Sequence, residues 1–541
     1  MPDYTANMTL EEQVGQLLVV GFPGTTPTPE IIDLIQNHHI GGIIFFSRNI
    51  QDAQQVLTLT HSLQMIAKKA GHRYPLFIAI DQENGMVQRL GNSATQFPGN
   101  MALGAIGSRQ IAYDIAEATG RELTALGINF NLAPVVDVNN NPANPVIGVR
   151  SFGEDPLQVA RLASAAVKGY RRSGVITCLK HFPGHGDTAV DSHLALPTLP
   201  YSMERLEAVE LLPFRSGIAA GADSVMIAHI AFPTLTGDAT LPATLSPAIV
   251  RKLLREKLGF TGVIISDCLE MNAISETVGV GPGSVMALQA GNDLILISHL
   301  YARQRAGLAA LLAALQEGVL TQDVLKQAVE RVLKLKEQTL SWDNLPNASL
   351  PVAVSSEAHQ QLRDSAYALS ATLVRDEAGL LPLQLEQAEQ LLIVYPQRDN
   401  WTRVEDRHYP HEFFVESIRQ RHAHTIVRAI TLASSQYDYE ELLQVARTSS
   451  VIIVVTVNAY LDGQQLDVMR RLLQIDRPIV CIAVYNPYDL LAFPQVPTYL
   501  VTYECTEPAL AAAVHVLFGD KEPQGLLPVS LPGLYPLGED A

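Results

Sequence analysis

Cysteine is scarce in this chain, with four residues in 541, and the four stand far apart at Cys178, Cys268, Cys481 and Cys505. None forms a C-x-x-C pair, so neither a disulfide framework nor a zinc ribbon is expected. Each sits in or beside an apolar run and reads as a reduced core residue of a cytoplasmic protein. Charge is also sparse, at 17% of residues, and it leans to one sign: 38 Lys and Arg face 55 Asp and Glu, a formal charge of −17. No lysine or arginine run offsets the excess, which argues against non-specific binding to nucleic acid or to an anionic membrane. Long hydrophobic segments are missing too. The longest strongly apolar run, "VIIVVTV" at 451–457, is far too short to span a bilayer. The start, "MPDYTANMTLEEQVGQLL", lacks a basic flank followed by an apolar stretch, so no secretory signal is expected. Repeats of fixed period and low-complexity tracts are likewise absent, which excludes a solenoid.

What the chain does contain is apolar residues in short bursts, 47% of the total. That is enough for extensive cores, and the length exceeds what one core usually serves, so at least two domains are expected. Thr9 and Glu12 form a capping-box pattern that opens a first helix. Eight strand-like runs follow: 17–22, 41–46, 75–81, 128–138, 174–182, 224–230, 262–268 and 293–298. Helix-like segments separate most of them, as in "RQIAYDIAEATGRELTALG" at 109–127. Near-continuous hydrophobic strands imply burial on both faces, hence parallel strands covered by helices. Eight such units point to a (β/α)8 TIM-like barrel over 1–340, with a doubly wound sheet as the alternative. The stretch 341–362, rich in Pro, Ser and Asn, reads as a linker. Beyond it, over 363–541, six further strand-like runs (372–376, 390–396, 425–431, 451–457, 478–486 and 498–504) predict a smaller α/β domain.

Several barrel runs end in polar residues: Asp81 after "LFIAI", Lys180 and His181 after "VITCL", His229 after "VMIA", and Asp267 after "VIIS". In a parallel barrel those ends open onto one face, where active sites are built. The densest concentration is "KHFPGHGDTAVDSH" at 180–193. His181 and His185 have the spacing of two zinc ligands on a helix, but Pro183 and Gly184 break such a helix, so no metal is expected. No G-x-S-x-G elbow is present, and "GVGPGS" at 279–284 lacks the lysine of a phosphate loop and reads as a flexible loop. Acid/base chemistry remains. Asp191 and His193 are two apart, so in an extended segment they point to one side. A carboxylate beside an imidazole favours its protonated form, which suits a proton donor near neutral pH. Asp267, at a rigid strand end, could then serve as nucleophile or base.

Together "AIDQENGMVQRL" (79–90), "NFNLAPVVDVNNNPANPVIGVRSFGEDP" (129–156), "KHFPGHGDTAVDSH" and "VIISDCLEM" (263–271) resemble glycoside hydrolase family 3, in its β-N-acetylglucosaminidase branch. The second half, with "TLVRDEAGLLPL" (372–383) and "GLLPVSLP" (525–532), resembles the α/β sandwich domain of two-domain members. The resemblance implies a retaining glycosidase without a cofactor. Asp267 matches the nucleophile that forms a glycosyl-enzyme, and Asp191 with His193 match the acid/base pair. Asp81, Arg89, Arg150, Lys180 and His181 match the residues that hold the sugar. The implied substrate is a small carbohydrate with terminal β-linked N-acetylglucosamine, with the aglycone open among a chitin oligosaccharide, a muropeptide fragment from cell-wall recycling and a glycoconjugate.

One motif departs from the family. Where "DQEGGRVQRL" is common, Asn84 replaces a glycine and Met86 an arginine, which puts the turn and the neighbouring leaving-group site in question. Other functions stay open at this level. A histidine acid/base adds no anionic repulsion, so inorganic phosphate could replace water and make the enzyme a phosphorylase. A β-glucosidase, or a non-catalytic sugar-binding protein, are the remaining alternatives.

Overall fold

The computed structural model describes residues 4–538 except 6–7, 191, 193–194, 347–348, 350, 398–409, 432 and 435. Each of the eight apolar runs of the first half contains a strand: β1 (Leu18–Val20), β2 (Gly42–Phe45), β3 (Phe77–Ile80), β4 (Phe130–Asn131), β5 (Cys178–Phe182), β6 (Ser224–Ile227), β7 (Val263–Ser266) and β8 (Ile295–Ile297). β1 pairs in parallel with both β2 and β8, β3 with β2 and β4, and β6 with β5 and β7. Two seams remain, and single parallel bridges cross them, Phe130 to Ile176 and Ile265 to Leu294. The order 1 to 8 therefore returns on itself. A closed barrel leaves no edge strand to satisfy, which is why the strands can be so short. Every residue in all eight is buried, as helices outside and interdigitated side chains inside require.

Local signals place the helices. Thr9 Oγ1 accepts from Glu12 N at 3.2 Å while Glu12 Oε2 accepts from Thr9 N at 2.7 Å, the reciprocal cap its sequence called for. The long pattern at 109–127 is the helix Arg109–Ala125, with Ser108 as its N-cap. Two expectations need correction. The run 128–138 yields only two strand residues, because Pro134 offers no N–H to the ladder; contact resumes as a single bridge from Val135 to Lys180. "GVGPGS" is no flexible loop but the start of the helix Val280–Ala290. Its Pro282 lies in the first turn, where the missing N–H has no intrahelical partner to lose, and a Cβ at Gly283 would stand 2.9 Å from Ile274.

The second half builds one six-stranded sheet from β9 (Thr372–Asp376), β10 (Leu391–Pro396), β11 (Thr425–Ile430), β12 (Val451–Thr456), β13 (Ile479–Ala483) and β14 (Thr498–Val501). Its order is β9-β14-β13-β12-β10-β11, parallel except for β9, which runs antiparallel to β14. A helix, Glu357–Ser370, begins inside the stretch 341–362. The segment before it is tied to the barrel, since Ser355 N and His359 Nδ1 both meet Glu122 Oε1, at 3.1 and 2.6 Å. The two halves share apolar surface: Met86, Met101, Ala102, Ala105 and Val149 of the barrel belong to the second domain's core cluster. Polar contacts add register, including Gly99 N to Glu504 Oε1 at 2.9 Å and Asn139 Nδ2 to the Tyr488 hydroxyl at 3.0 Å.

One buried cation carries a testable consequence. Lys336 is 0% exposed on the helix Gln322–Thr339; its Nζ donates to Gln16 Oε1 at 2.9 Å and to Gly41 O at 2.7 Å. Two donated bonds are what a neutral amine can supply, and burial draws its pKa down from 10.5 to about 7. Below that pH the folded and unfolded states both bind the proton. Between about 7 and 10.5 the unfolded state alone holds it, so this lysine makes stability rise with pH across that window. Replacing it, as Lys336→Met, is expected to remove that rise. Urea unfolding at pH 6, 7.5 and 9 should show wild type gaining on the variant by up to about 1.4 kcal/mol per pH unit above neutrality. A gap that stays constant with pH would mean the folded lysine keeps its proton.

Candidate active site

A cavity of about 280 Å³ opens at the C-terminal ends of the barrel strands, and Asp81, Arg89, Arg150, Lys180, His181 and Asp267 all line it. The strands explain the gathering. Asp81 follows β3, Lys180 and His181 lie within β5, and Asp267 follows β7, so three rigid elements aim these side chains at one point. Asp191 and His193 lie outside the described residues. Ser192, between them, is described: it is buried and lines the same cavity.

The charged groups alternate in sign. Lys180 Nζ stands 2.6 Å from Asp81 Oδ1 and 2.6 Å from Glu83 Oε1. Both oxygens of Glu83 accept from Arg150, from Nε and Nη2, at 2.8 Å each. This is the forked geometry for which guanidinium and carboxylate are matched. Burial alone would push the Glu83 carboxyl up, but Arg150 and Lys180 outweigh it and hold the group well below the usual carboxylate range. Burial likewise disfavours the Lys180 ammonium, and Asp81 with Glu83 reverse that, so its pKa is raised. Each charge is out of water only because its neighbours replace the water.

A second anchor fixes the histidines. Asp137, 1% exposed, accepts from His181 Nδ1 at 2.8 Å, from His181 N at 3.2 Å and from His185 N at 2.8 Å. Burial opposes its ionisation, His181 overrides it, and the pKa is lowered. His181 Nε2 faces Arg150 Nη2 at 3.4 Å. Arginine can only donate, so these partners assign the proton to Nδ1 and the lone pair to Nε2. His185 is spent elsewhere. Its Nδ1 meets Thr188 Oγ1 at 2.8 Å and its Nε2 meets Ser192 Oγ at 2.9 Å, while burial and the nearby His181 pull its pKa down to about 4. His185 therefore stays neutral and braces the loop.

Asp267 is half-buried, and its Oδ1 accepts from Cys268 N at 2.7 Å, which restrains the carboxylate's rotation. The neighbouring Cys268 thiol is no reagent: its Sγ lies 2.8 Å from Ser298 Oγ, and burial with the nearby Glu270 pushes it up to about 12. His229 does not join the site as its strand-end position led one to expect. It is fully buried, with Nδ1 on Thr244 Oγ1 and Nε2 on the Cys268 carbonyl. Arg89 stands 5.8 Å from the Phe46 ring centroid, and Arg48 stands over the same ring at 4.3 Å.

The altered "DQENGMVQRL" segment forms a tight turn between two short antiparallel strands, Gln82–Asn84 and Val87–Gln88. Asn84 takes φ 71°, a left-handed conformation that asparagine tolerates better than most residues, and its Nδ2 donates to Thr119 Oγ1 at 3.0 Å. Gly85, at φ 60°, cannot be replaced so readily, since a Cβ there would stand 2.7 Å from Gly99 Cα. Met86 is buried, with its Sδ 3.7 Å from Cys505 Sγ of the second domain. Sequence reasoning missed Glu83 and Asp137. A signal existed for both, because a carboxylate inside or just past an apolar run needs a buried partner.

Paired carboxylates and cations around so small a space suit one polyhydroxylated ring, whose hydroxyls can bridge them by charge-assisted hydrogen bonds. Comparison with known proteins agrees. Residues 9–335 match the glycosyl hydrolase family 3 N terminal domain and residues 371–534 the C-terminal domain. Beta-hexosaminidase A of Pseudoalteromonas piscicida is 38% identical over 407 residues, covering 70% of this chain and 67% of that one. A solved family 3 beta-N-acetylglucosaminidase from Paenibacillus sp. str. FPU-7 is 40% identical with a TM-score of 0.90, covering 97% of this chain and 99% of that one. A fungal multi-domain beta-N-acetylglucosaminidase of the same family is 45% identical with a TM-score of 0.93. Here 98% of this chain is covered but 62% of that one, so the chain spans less than two thirds of that protein.

Proposed function

Because the chain belongs to glycosyl hydrolase family 3, we propose that it is a retaining β-N-acetylglucosaminidase acting on terminal, non-reducing sugars. The observation that carries this reading is the convergence of Asp81, Lys180, Arg150, His181 and Asp267 on one cavity of single-sugar size. Asp267 attacks the anomeric carbon as the bond to the leaving oxygen breaks, giving a glycosyl ester. His193, oriented and charged by Asp191, donates the proton that the leaving oxygen takes. The neutral imidazole then removes a proton from water, which displaces Asp267 and restores the β configuration. Asp81, Arg89, Arg150, Lys180 and His181 hold the sugar hydroxyls meanwhile. The four buried cysteines, none of them in a disulfide, suit a reducing cytoplasm, where the substrates would be imported fragments of chitin or cell wall.

The test compares aryl β-N-acetylglucosaminide with aryl β-glucoside, with and without phosphate, and follows the anomer released first. The expected result is a preference for the acetamido sugar of at least about tenfold in kcat/KM, release of the β anomer, and indifference to phosphate. A better glucoside would make the protein a β-glucosidase. A sugar 1-phosphate product would make it a phosphorylase, and no turnover of either substrate would leave a sugar-binding protein.

A further inference from the structure

We infer that the leaving group of the substrate lies in a groove of about 860 Å³ beside the sugar cavity, and that this groove selects a neutral oligosaccharide bearing amides and hydroxyls. The inference rests on the glycosidase reading above and names its substrate class. The two spaces share Arg89, and their linings adjoin along the chain: Phe46 and Val87 face the cavity while Ser47 and Met86 face the groove. A sugar seated against Asp267 can thus hand its bonded neighbour to the groove.

The groove's chemistry decides what that neighbour is. Its polar wall carries four side-chain amides, Gln51 and Gln54 after β2 and Asn92 and Gln96 after β3, beside the hydroxyls of Ser47, Ser93, Ser355 and Thr506. Amides both donate and accept, as the hydroxyl and acetamido groups of a sugar do. Met86 supplies apolar surface of the kind that the C–H face of a pyranose covers. The altered motif therefore has a use: an arginine at 86 would have added a second cation beside Arg89. Among the described residues, Arg89 is the buried cation of this wall and the exposed charges are negative. Asp52 is fixed as the N-cap of the helix Ala53–Lys69 by accepting from Gln55 N at 2.8 Å, and Glu507 contributes a second carboxylate from the second domain. A leaving group carrying a peptide with free carboxylates would meet both, and repulsion would count against it. The second domain accordingly forms one wall of the binding surface as well as supporting the barrel.

The test uses the full-length chain with three substrates: an aryl β-N-acetylglucosaminide, the N-acetylglucosamine trimer, and N-acetylglucosaminyl-muramyl peptide. Two variants at exposed groove positions away from the catalytic machinery, Asn92→Trp and Glu507→Lys, accompany wild type. The trimer should be the better natural substrate. Asn92→Trp should lower its kcat/KM by at least about tenfold while leaving the aryl glycoside within about twofold. Glu507→Lys should raise turnover of the muramyl peptide relative to the trimer. The assignment is overturned if wild type prefers the muramyl peptide, or if Asn92→Trp spares the trimer or depresses both substrates alike. Failure of the aryl glycoside itself with wild type would instead defeat the glycosidase reading.

Discussion

Replacing Asp267 with alanine is expected to lower kcat on an aryl β-N-acetylglucosaminide by at least about 10⁴-fold, because a reaction that proceeds through a covalent intermediate loses its first step with the nucleophile. The fold should survive. Asp267 is half-buried at the end of β7, and the neighbouring Ile265 and Ser266 keep their places in the barrel. Loss of rate alone would not identify the role, so azide provides the second readout. In Asp267→Ala a small anion can enter from the face the carboxylate vacated, form a bond to the anomeric carbon and expel the aryl oxygen, giving the α-glycosyl azide. His193→Ala should respond oppositely. There the glycosyl-enzyme still forms from an activated aryl leaving group, and azide then displaces Asp267 to give the β-glycosyl azide. Product analysis by NMR separates the two. A β-azide from Asp267→Ala, or substantial activity without rescue, would reassign the nucleophile.

The second large effect concerns Glu83, which the family resemblance did not single out. Its side chain is 3% exposed and sits between Lys180 and Arg150, both nearly buried. Glu83→Gln preserves shape but leaves two buried cations facing an amide. Breaking one partner of a buried ionic group costs about 3–5 kcal/mol, because the stranded charge has no solvent to return to. Activity should fall as well, by about 10²-fold in kcat/KM, since Lys180 loses one of the two carboxylates that aim it. A double variant separates the causes. Lys180 keeps Asp81, so the stranded cation is Arg150; removing it, in Glu83→Gln with Arg150→Met, should recover much of the stability and none of the activity. If both recover together, Glu83 is acting on the fold alone. The pH dependence gives an independent check. Glu83's folded carboxyl is held below its ordinary value of 4.5, so its contribution is full above that value and is lost as pH falls below it. Acid unfolding of Glu83→Gln should lack that component.

Much of this molecule could be read from its amino acids. Periodicity marked all eight barrel strands and the six of the second sheet, because a strand buried on both faces must be apolar along its length and short. Thr9 with Glu12 marked a helix start, since capping is settled within four residues. The position of Asp81, Lys180, His181 and Asp267 at strand ends was legible for the same reason: a charged group closing an apolar run is a local fact. His229 shows the limit. Its local pattern equals theirs, yet its ring turns to Thr244 and the Cys268 carbonyl and takes no part in the cavity.

What the sequence determined by itself was the inventory of elements and the residue types carried to the mouth of the barrel. Which charge meets which was decided by tertiary structure. Lys180 reaches Asp81 across 99 residues and Arg150 reaches Glu83 across 67, distances over which no local pattern operates. Those meetings depend on the strand order and on closure of the barrel, which bring β3 and β5 to one mouth. Only there, with water displaced, does each buried charge require the opposite one beside it, and that requirement turns four separate motifs into a single site.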